Sequence, residues 1–389
     1  MALCHYYGGP QYGVSEFRFA LELGLVLRSR RQTHYSLRGL LHELSDRLRH
    51  RGVVHHYLLP GQAYRENDRI WTVVGDDTLP SSPHENTRFG IRLVSPYFIF
   101  RDFSRWMHQV QDVFRVLYED DFETTATHQC FTYVHIVPCR GYWHLRELKA
   151  LAKFILHYEA CLDALMPVYR QRSILCKSNR WNDWFRGRPN SRDAFADVDR
   201  SMASVKDLAF YMNVCGPHSA TATALPHMRH MPAGAAHNTF RWSFTNLIME
   251  RSTGSRLTGF GTVVFRQPPA ASSATEAMRW VLLVGCFAQL SRTHADALDP
   301  NGGASLKRLG ECLLYQARCC GAPHRSLLKS MFDQAVPPAQ RRSAAAALEY
   351  ELVGPARIQP HEQEKLRHME LQKDIAADKY KIFAMRQCP

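Results

Sequence analysis

The sequence FRFALELGLVLR, residues 17–28, alternates strictly between two faces and decides the fold. One face is entirely apolar, because every second residue from Phe17 to Leu27 is a phenylalanine or a leucine. The other face carries Glu22 between two small neighbours, Ala20 and Gly24. A period of two is typical of a β-strand. The sequence therefore predicts a strand that packs one face on helices and directs Glu22 away from them.

Further helices and strands follow without the regular strand–helix–strand rhythm of a parallel sheet. Leucines at helical spacing predict a helix from Leu37 to Leu48 that stops at Gly52, and Ser104 is expected to cap a second helix. Strands are also predicted at residues 70–74, 89–94, 130–137, 240–247 and 261–266, and helices at residues 145–165 and 275–291. This mixture predicts an α+β fold in which an antiparallel sheet is backed by helices.

The second half of the chain is less regular. Residues 177–237 are rich in Arg, Asn, Pro, His and Gly, which predicts mostly loops. Beyond Pro300 the chain is expected to be helical and to end in a charged segment, residues 360–385. We therefore expect one α+β domain, residues 1–298, followed by a helical extension with a charged tail, residues 299–389.

The chain carries a formal net charge of +13, and its arginines cluster at residues 28–31 and 47–51. Such a basic balance suits an anionic substrate, such as a nucleotide, or a nucleic acid. No RNP, KH, zinc-finger or basic-zipper motif accompanies the charge, and the second cluster lies on a predicted amphipathic helix, where charges commonly form the solvated face. Nucleic acid is therefore the less favoured partner.

The 11 cysteines are scattered and odd in number, and no Cys-x-x-Cys pair occurs. This pattern favours reduced structural thiols over disulfides or a zinc ribbon. The sequence begins with neither a basic nor an apolar leader segment. Its longest strongly apolar stretch, residues 280–290, is shorter than the roughly 20 residues that cross a bilayer. We expect a cytoplasmic, intracellular protein without a membrane partner.

Four polar residues stand out within or at the ends of predicted strands, namely Glu22, His135, Asn246 and Arg266. Each of them alone is more readily explained by structure, because strands routinely carry isolated polar residues on a solvent face. A group of histidines between residues 218 and 237 has metal-ligand side chains, but it lies in Pro-rich loop sequence without a fixed partner set. A structural explanation is favoured there as well.

Seven short motifs, in this order, resemble the fungal branch of the amidoligases, within the glutamine-synthetase-like group of carboxylate–amine ligases. The resemblance covers residues 17–290, and its marks are Phe17 to Leu23, Trp71 leading to Asp77, Gly90 to Pro96, Thr132 to Ile136, Cys176 to Arg180, Trp242 to Leu247 and Thr262 to Pro269. It implies an antiparallel sheet curved into a funnel with helices outside. It also implies that ATP and Mg²⁺ serve to phosphorylate a small carboxylic acid or amino acid, whose acyl phosphate then passes to an amine donor.

The resemblance places this chemistry on alternate strand positions, since only residues i and i+2 share a sheet face. A triphosphate is held by hard cations, which prefer carboxylate oxygens. The resemblance implies metal ligands at Glu22, His135 and Asp77, catalytic roles for Arg266, Asn246 and Arg92, and cofactor-binding roles for Arg266, Asn179 and Arg180.

Several positions depart from the pattern of the family. Gly24 stands where the second acid of the first strand is expected, and Arg92 stands where an acid precedes the Val-Ser-Pro turn. Tyr133 replaces the first imidazole, and Val264 replaces the acid of the late strand. Three acids are therefore missing, one of them exchanged for a cation, and Glu85 in the preceding loop is a candidate replacement.

Two functions remain open on these grounds. The first is an ATP-dependent carboxylate–amine ligase with an unusual metal site. The alternative is a catalytically inactive relative that uses the same funnel to bind an anionic ligand or a protein partner.

Overall fold

The alternating stretch forms a central strand of 13 residues, β1 (Phe17–Ser29). The structure is a computed structural model that describes residues 16–59, 69–76, 78–79, 81, 87–120, 122–125, 129–171, 176, 178–181, 191–200, 202–213, 240–248, 261–300 and 304–335.

The sheet is built around β1. The other strands are β2 (His55–Leu58), β3 (Trp71–Gly75), β4 (Phe89–Val94), β5 (Phe98–Ile99), β6 (Phe122–Thr125), β7 (Phe131–Pro138), β8 (Trp242–Ser243) and β9 (Val263–Phe265). Their order is β2-β3-β4-β1-β7-β9-β8. β5 continues the edge of β1 that β4 occupies, and β6 continues the edge that β7 occupies. The long strand β1 therefore has hydrogen-bonded neighbours on both sides.

The helices are α1 (Leu37–His50), α2 (Phe103–Phe114), α3 (Leu145–Asp163), α4 (Val168–Gln171), α5 (Ser191–Arg200), α6 (Val205–Asn213), α7 (Ala274–His294), α8 (Leu306–Cys319) and α9 (Arg325–Gln334). A π-helical turn, Arg115–Asp120, extends α2, and a 3₁₀ turn, Thr245–Leu247, follows β8. α8 and α9 pack on each other and on α7.

The core lies between the apolar face of β1 and the helices α2, α3 and α7. Phe19 meets Trp106 of α2 edge to face, with ring centroids 5.2 Å apart. On the neighbouring helices, Phe287 of α7 packs on Phe154 of α3 at 4.7 Å. These contacts fix the helical layer against one side of the sheet and leave the other side to carry polar groups.

The mixed α+β architecture is confirmed, and so are most of the predicted elements. Gly52 ends α1 as expected, with a φ of +74° and its N–H donated to the carbonyl of Arg49. Cys161 and Cys286 are buried free thiols within helices. Along the part of the chain that the structure describes, no helix combines the length and the apolar character needed to cross a membrane.

Two expectations about the sheet and the helix ends need correction, and one stays a prediction. The sheet is not purely antiparallel, because β2 and β3 pair in parallel; residues 59–70 connect them, and such a crossover needs about a dozen residues. The described strands form an open sheet, so the curved funnel is not confirmed. The second helix begins at Phe103, so Asp102 and not Ser104 stands at its N-cap position, where the Asp102 side chain makes no capping hydrogen bond.

The expected loops between residues 177 and 237 contain two helices, α5 and α6. Their short apolar stripes are buried, with Phe195 and Val198 on α5 and Leu208 and Met212 on α6. The many polar residues around these stripes conceal them in the sequence. The predicted strand at residues 240–247 is also shorter, because Asn246 lies in the 3₁₀ turn after β8.

Helix α7 closely approaches the residue after β5 at Gly285. A Cβ at this position would overlap the ring of Phe100, which is itself held to β1 by a 2.9 Å hydrogen bond from its N–H to the carbonyl of Phe17. Glycine in the interior of a helix is otherwise unfavourable, so close packing explains its presence here.

We expect Gly285→Ala to destabilise the protein by about 1 to 3 kcal/mol through overpacking, although the same change in an open helix stabilises by about 1 kcal/mol. The free energy of unfolding in urea measures the effect. The double variant Gly285→Ala/Phe100→Leu should recover part of the loss. A stabilised Gly285→Ala protein would contradict the packing described here.

Candidate functional site

The side of the sheet that faces away from α2, α3 and α7 carries a connected group of polar and aromatic side chains. We call it the polar face and define it by Glu22, Arg92, Phe131, Tyr133, His135 and Arg266. The strand register brings these residues together. Gly24 of β1 lies opposite Arg92 of β4 and Phe131 of β7, and Glu22 lies opposite Tyr133.

Glu22 is the central acid of the polar face and is 5% exposed. Its Oε2 lies 2.7 Å from His135 Nε2, and its Oε1 lies 3.3 Å from Arg92 Nη1. Burial alone would raise the pKa of this carboxyl group, but the charge of Arg92 and the hydrogen bond from His135 outweigh it and lower the pKa to about 2. Glu22 is therefore an ionised and fully engaged carboxylate.

Arg92 is held between Glu22 and a second buried acid, Asp76. Its Nε and Nη2 both donate to Asp76 Oδ2, at 2.9 and 2.7 Å. The other oxygen of Asp76 accepts from the N–H and the hydroxyl group of Thr78. Burial opposes the charge of Arg92, but the neighbouring carboxylates of Glu22 and Asp76 raise its pKa further above its ordinary value.

His135 links Glu22 to the late strand β9 and the turn after β8. Its Nδ1 lies 3.5 Å from Thr262 Oγ1, which accepts a 2.8 Å hydrogen bond from the amide of Asn246. The hydroxyl hydrogen of Thr262 can then point to Nδ1, and Nε2–H donates to Glu22. His135 and Asn246 are thereby joined to one hydrogen-bonded chain that starts at Asp76.

The aromatic residues of the polar face form a stack. The rings of Phe131 and Tyr133 are parallel within 14°, with centroids 3.9 Å apart. Arg266 covers the other side of Tyr133 at 4.2 Å and donates from Nη2 to its hydroxyl oxygen at 3.1 Å. The ring of Phe131 lies directly on Gly24, where a Cβ would overlap it. The position expected for the second acid of β1 is thus covered by an aromatic ring.

These residues do not fit a magnesium ion as they stand. Glu22 and Asp76 carry the carboxylates, but the guanidinium of Arg92 occupies the space between them. Within the described part of the chain, no group of three or more His, Cys, Asp or Glu side chains is arranged to hold a metal ion. No chemical step is therefore assigned to a metal here.

The two residues expected to bind the cofactor from the Cys176–Arg180 motif lie elsewhere. Asn179 is fully buried, and its amide bonds backbone groups only, donating to the carbonyls of Met212 and Trp242 and accepting from the N–H of Trp242. Arg180 lies close to His157 of α3, where burial and its positive charge lower the histidine pKa to about 4. Neither geometry gives these two side chains a contact with the polar face.

Asp77 and Glu85, the other acids considered, lie outside the described residues. Besides Glu22, Arg92 contacts Asp76, the residue before Asp77, which the sequence reasoning missed as a member of the site. A period-two reading carried one step beyond β3 could have found it, since Thr72, Val74 and Asp76 alternate with the core residues Trp71 and Val73. Phe131 and Thr262 were also missed as members of the site.

Residues 16–287 match the model of a protein family described as putative amidoligase enzyme. The match spans more than two-thirds of the chain and includes every member of the polar face. No curated protein matches the chain.

The lowered pKa of Glu22 predicts a specific dependence of stability on pH. In the folded protein this pKa is about 2 instead of 4.5, so the charged form stabilises the fold above pH 4.5, and this contribution is lost as the pH falls from 4.5 towards 2. Glu22→Gln should cost on the order of 3 kcal/mol at neutral pH and much less at low pH.

Urea unfolding of both proteins across this pH range measures the difference. Glu311→Gln, at an exposed position of α8, is the matched control and should show no such trend. A Glu22→Gln penalty that stays constant with pH would contradict the ion network.

We expect Asn179 to stabilise the fold by joining the backbone of Met212 to that of Trp242. Asn179→Ala removes three hydrogen bonds to buried backbone groups of Met212 and Trp242, which we expect to cost on the order of 3 kcal/mol in unfolding free energy. Asn213 makes equivalent bonds to the carbonyl of Trp242 and the N–H of Phe244, so Asn213→Ala should cost a similar amount. A variant at Asn179 that keeps full stability and loses only nucleotide affinity would instead support a cofactor contact.

Proposed function

Because the chain belongs to this amidoligase family, we propose that it joins a small carboxylic acid or amino acid to an amine on the polar face, at the expense of ATP. The observation that carries the proposal is the convergence of Glu22, Arg92, His135 and Arg266 on one side of four adjacent strands, β4, β1, β7 and β9, with Arg266 directly after β9. The ATP requirement comes from the resemblance described above.

The reaction would proceed in two displacements. A carboxylate oxygen of the acid attacks the γ-phosphorus of ATP, and ADP leaves with the electron pair of the broken bond. The amine nitrogen then attacks the carbonyl carbon of the acyl phosphate, loses a proton and expels inorganic phosphate. Both steps concentrate negative charge on oxygen atoms, so they need fixed positive groups nearby.

Arg266 is the residue best placed to supply that charge. The ring of Tyr133 holds one face of its guanidinium, and within the described residues its buried Nε has no hydrogen-bond partner. A planar guanidinium with open donors binds carboxylate or phosphate oxygens in a bidentate manner. Arg92 is less available, because Asp76 and Glu22 already occupy its donors.

A second candidate function is the binding of an anionic ligand without turnover. Two observations favour it, namely the ring of Phe131 over Gly24 and the enclosure of Arg92 between acids. The first covers a position where a metal-binding acid is expected, and the second fills the space between two carboxylates that could hold a metal ion. Arg266 is still available to bind an anion. A nucleotide is a suitable ligand on charge grounds.

The two candidates separate in an assay of ADP release with ATP and panels of carboxylic acids and amines, with and without Mg²⁺. The ligase proposal expects ADP release that needs both an acid and an amine. Arg266→Gln should reduce this rate by about 10² to 10³-fold, since it removes a charged group that stabilises the transition state. Arg318→Gln, at an exposed position of α8, is the control for the loss of a positive charge.

Absence of ADP release from the folded protein with every pair would overturn the ligase proposal. In that case ATP affinity, measured by calorimetry, decides the second candidate. ATP binding that Arg266→Gln abolishes and Arg318→Gln retains would support this second candidate. If the protein binds no ATP, the second candidate is overturned for nucleotides as well.

A further inference from the structure

Two buried carboxylates approach the same guanidinium on the polar face. The side chain of Asp76 is 2% exposed and that of Glu22 is 7% exposed. Like charges at such short range in a poorly solvated environment cannot both persist unless a cation lies between them. Arg92 provides this cation through three contacts of 2.7 to 3.3 Å.

The groups around Arg92 are the kind that bind a divalent metal ion. Two carboxylates contact the guanidinium, and the imidazole of His135 lies 2.7 Å from the far oxygen of Glu22. Carboxylate oxygens suit Mn²⁺ and Mg²⁺, which complete their coordination with water. The arginine occupies the centre of this donor set, so the set is not open to a metal ion.

The aromatic stack closes the neighbouring position. Phe131 covers Gly24 and lies 5.7 Å from the guanidinium carbon of Arg92, measured to the ring centroid. The ring therefore holds Arg92 from one side while the two acids hold it from the others. An arginine restrained in this way has little freedom to leave its place.

We infer that the guanidinium of Arg92 takes the place of a divalent cation between Glu22 and Asp76, so that the polar face excludes metal ions unless this side chain is removed. The inference rests on the proposed function only for the location of the site. Its readout is metal binding, which requires no amide-forming activity, so that the two proposals can fail separately.

The test is a titration of the full-length protein with Mn²⁺, followed by electron paramagnetic resonance of the free ion and by melting temperature. The wild type should bind no Mn²⁺ at a site that depends on Glu22. Arg92→Ala leaves two buried carboxylates without the cation between them and should bind one Mn²⁺ at a site that the wild type lacks, at least about tenfold more tightly than any Mn²⁺ binding elsewhere on the wild type. Mn²⁺ should also raise the melting temperature of this variant and leave that of the wild type unchanged.

Three further variants serve as controls. Arg92→Ala/Glu22→Gln should lose the gained Mn²⁺ site, because one of its two carboxylates is gone. Arg92→Lys keeps a cation in place and should bind no Mn²⁺. Arg88→Ala removes a partly exposed arginine that is paired with Glu123 and directly precedes β4, and this variant should gain no Mn²⁺ site.

Arg92→Gln carries the same prediction as Arg92→Ala, with a smaller loss of packing. Folding of either variant only in the presence of Mn²⁺ also supports the inference. Wild-type protein that binds one Mn²⁺ in a Glu22-dependent manner would overturn it. The inference would also be overturned if the Arg92→Ala and Arg92→Gln proteins fold but bind no Mn²⁺. The same holds if both variants are unfolded without Mn²⁺ and its addition does not fold them.

Discussion

The double pairing of β1 is the constraint on which the rest of the structure depends. β4 pairs with residues 22–27 of this strand, and β7 pairs with residues 17–24. Only residues 22–24 therefore have both neighbours at once, and this short overlap is where Glu22, Arg92, Phe131 and Tyr133 meet. A shift of one residue in either pairing would turn these side chains into the core. The same hydrogen bonds thus set the fold and the site.

Burial on both sides of the sheet then determines the electrostatics. Glu22, Asp76 and His135 have little access to water, so each needs a partner within the protein. The partners come from different strands, which ties β3, β4, β1 and β7 together through charge as well as through backbone pairing. Breaking one buried ion pair leaves the other charge exposed to an apolar environment, which is more costly than losing a surface pair. The ion network therefore stabilises the pairing of these four strands.

The sequence predicted those features that depend on local periodicity. The alternation of residues 17–28 identified β1 and placed Glu22 on the correct face, and the resemblance directed attention to His135 and Arg266. The same alternation, carried beyond β3, could place Asp76 on the polar face, but it could not identify Asp76 as the partner of Arg92, because that contact joins the end of β3 to β4. Nor could it predict the parallel pairing of β2 with β3, or the helices α5 and α6, whose apolar stripes are short. Each of these depends on contacts between distant segments, which a periodic pattern does not record.

Gly24 shows how the structure changes the meaning of a sequence departure. In the sequence it is a missing acid, and a glutamate would be the obvious restoration. In the structure its lack of a side chain makes room for Phe131, whose ring in turn packs on Tyr133 and lies beside Arg92. An acid at residue 24 would have to displace this ring and would come close to Glu22. The departures at Gly24 and Arg92 are therefore physically coupled through Phe131, and reversing one of them alone would leave the other in conflict with its surroundings.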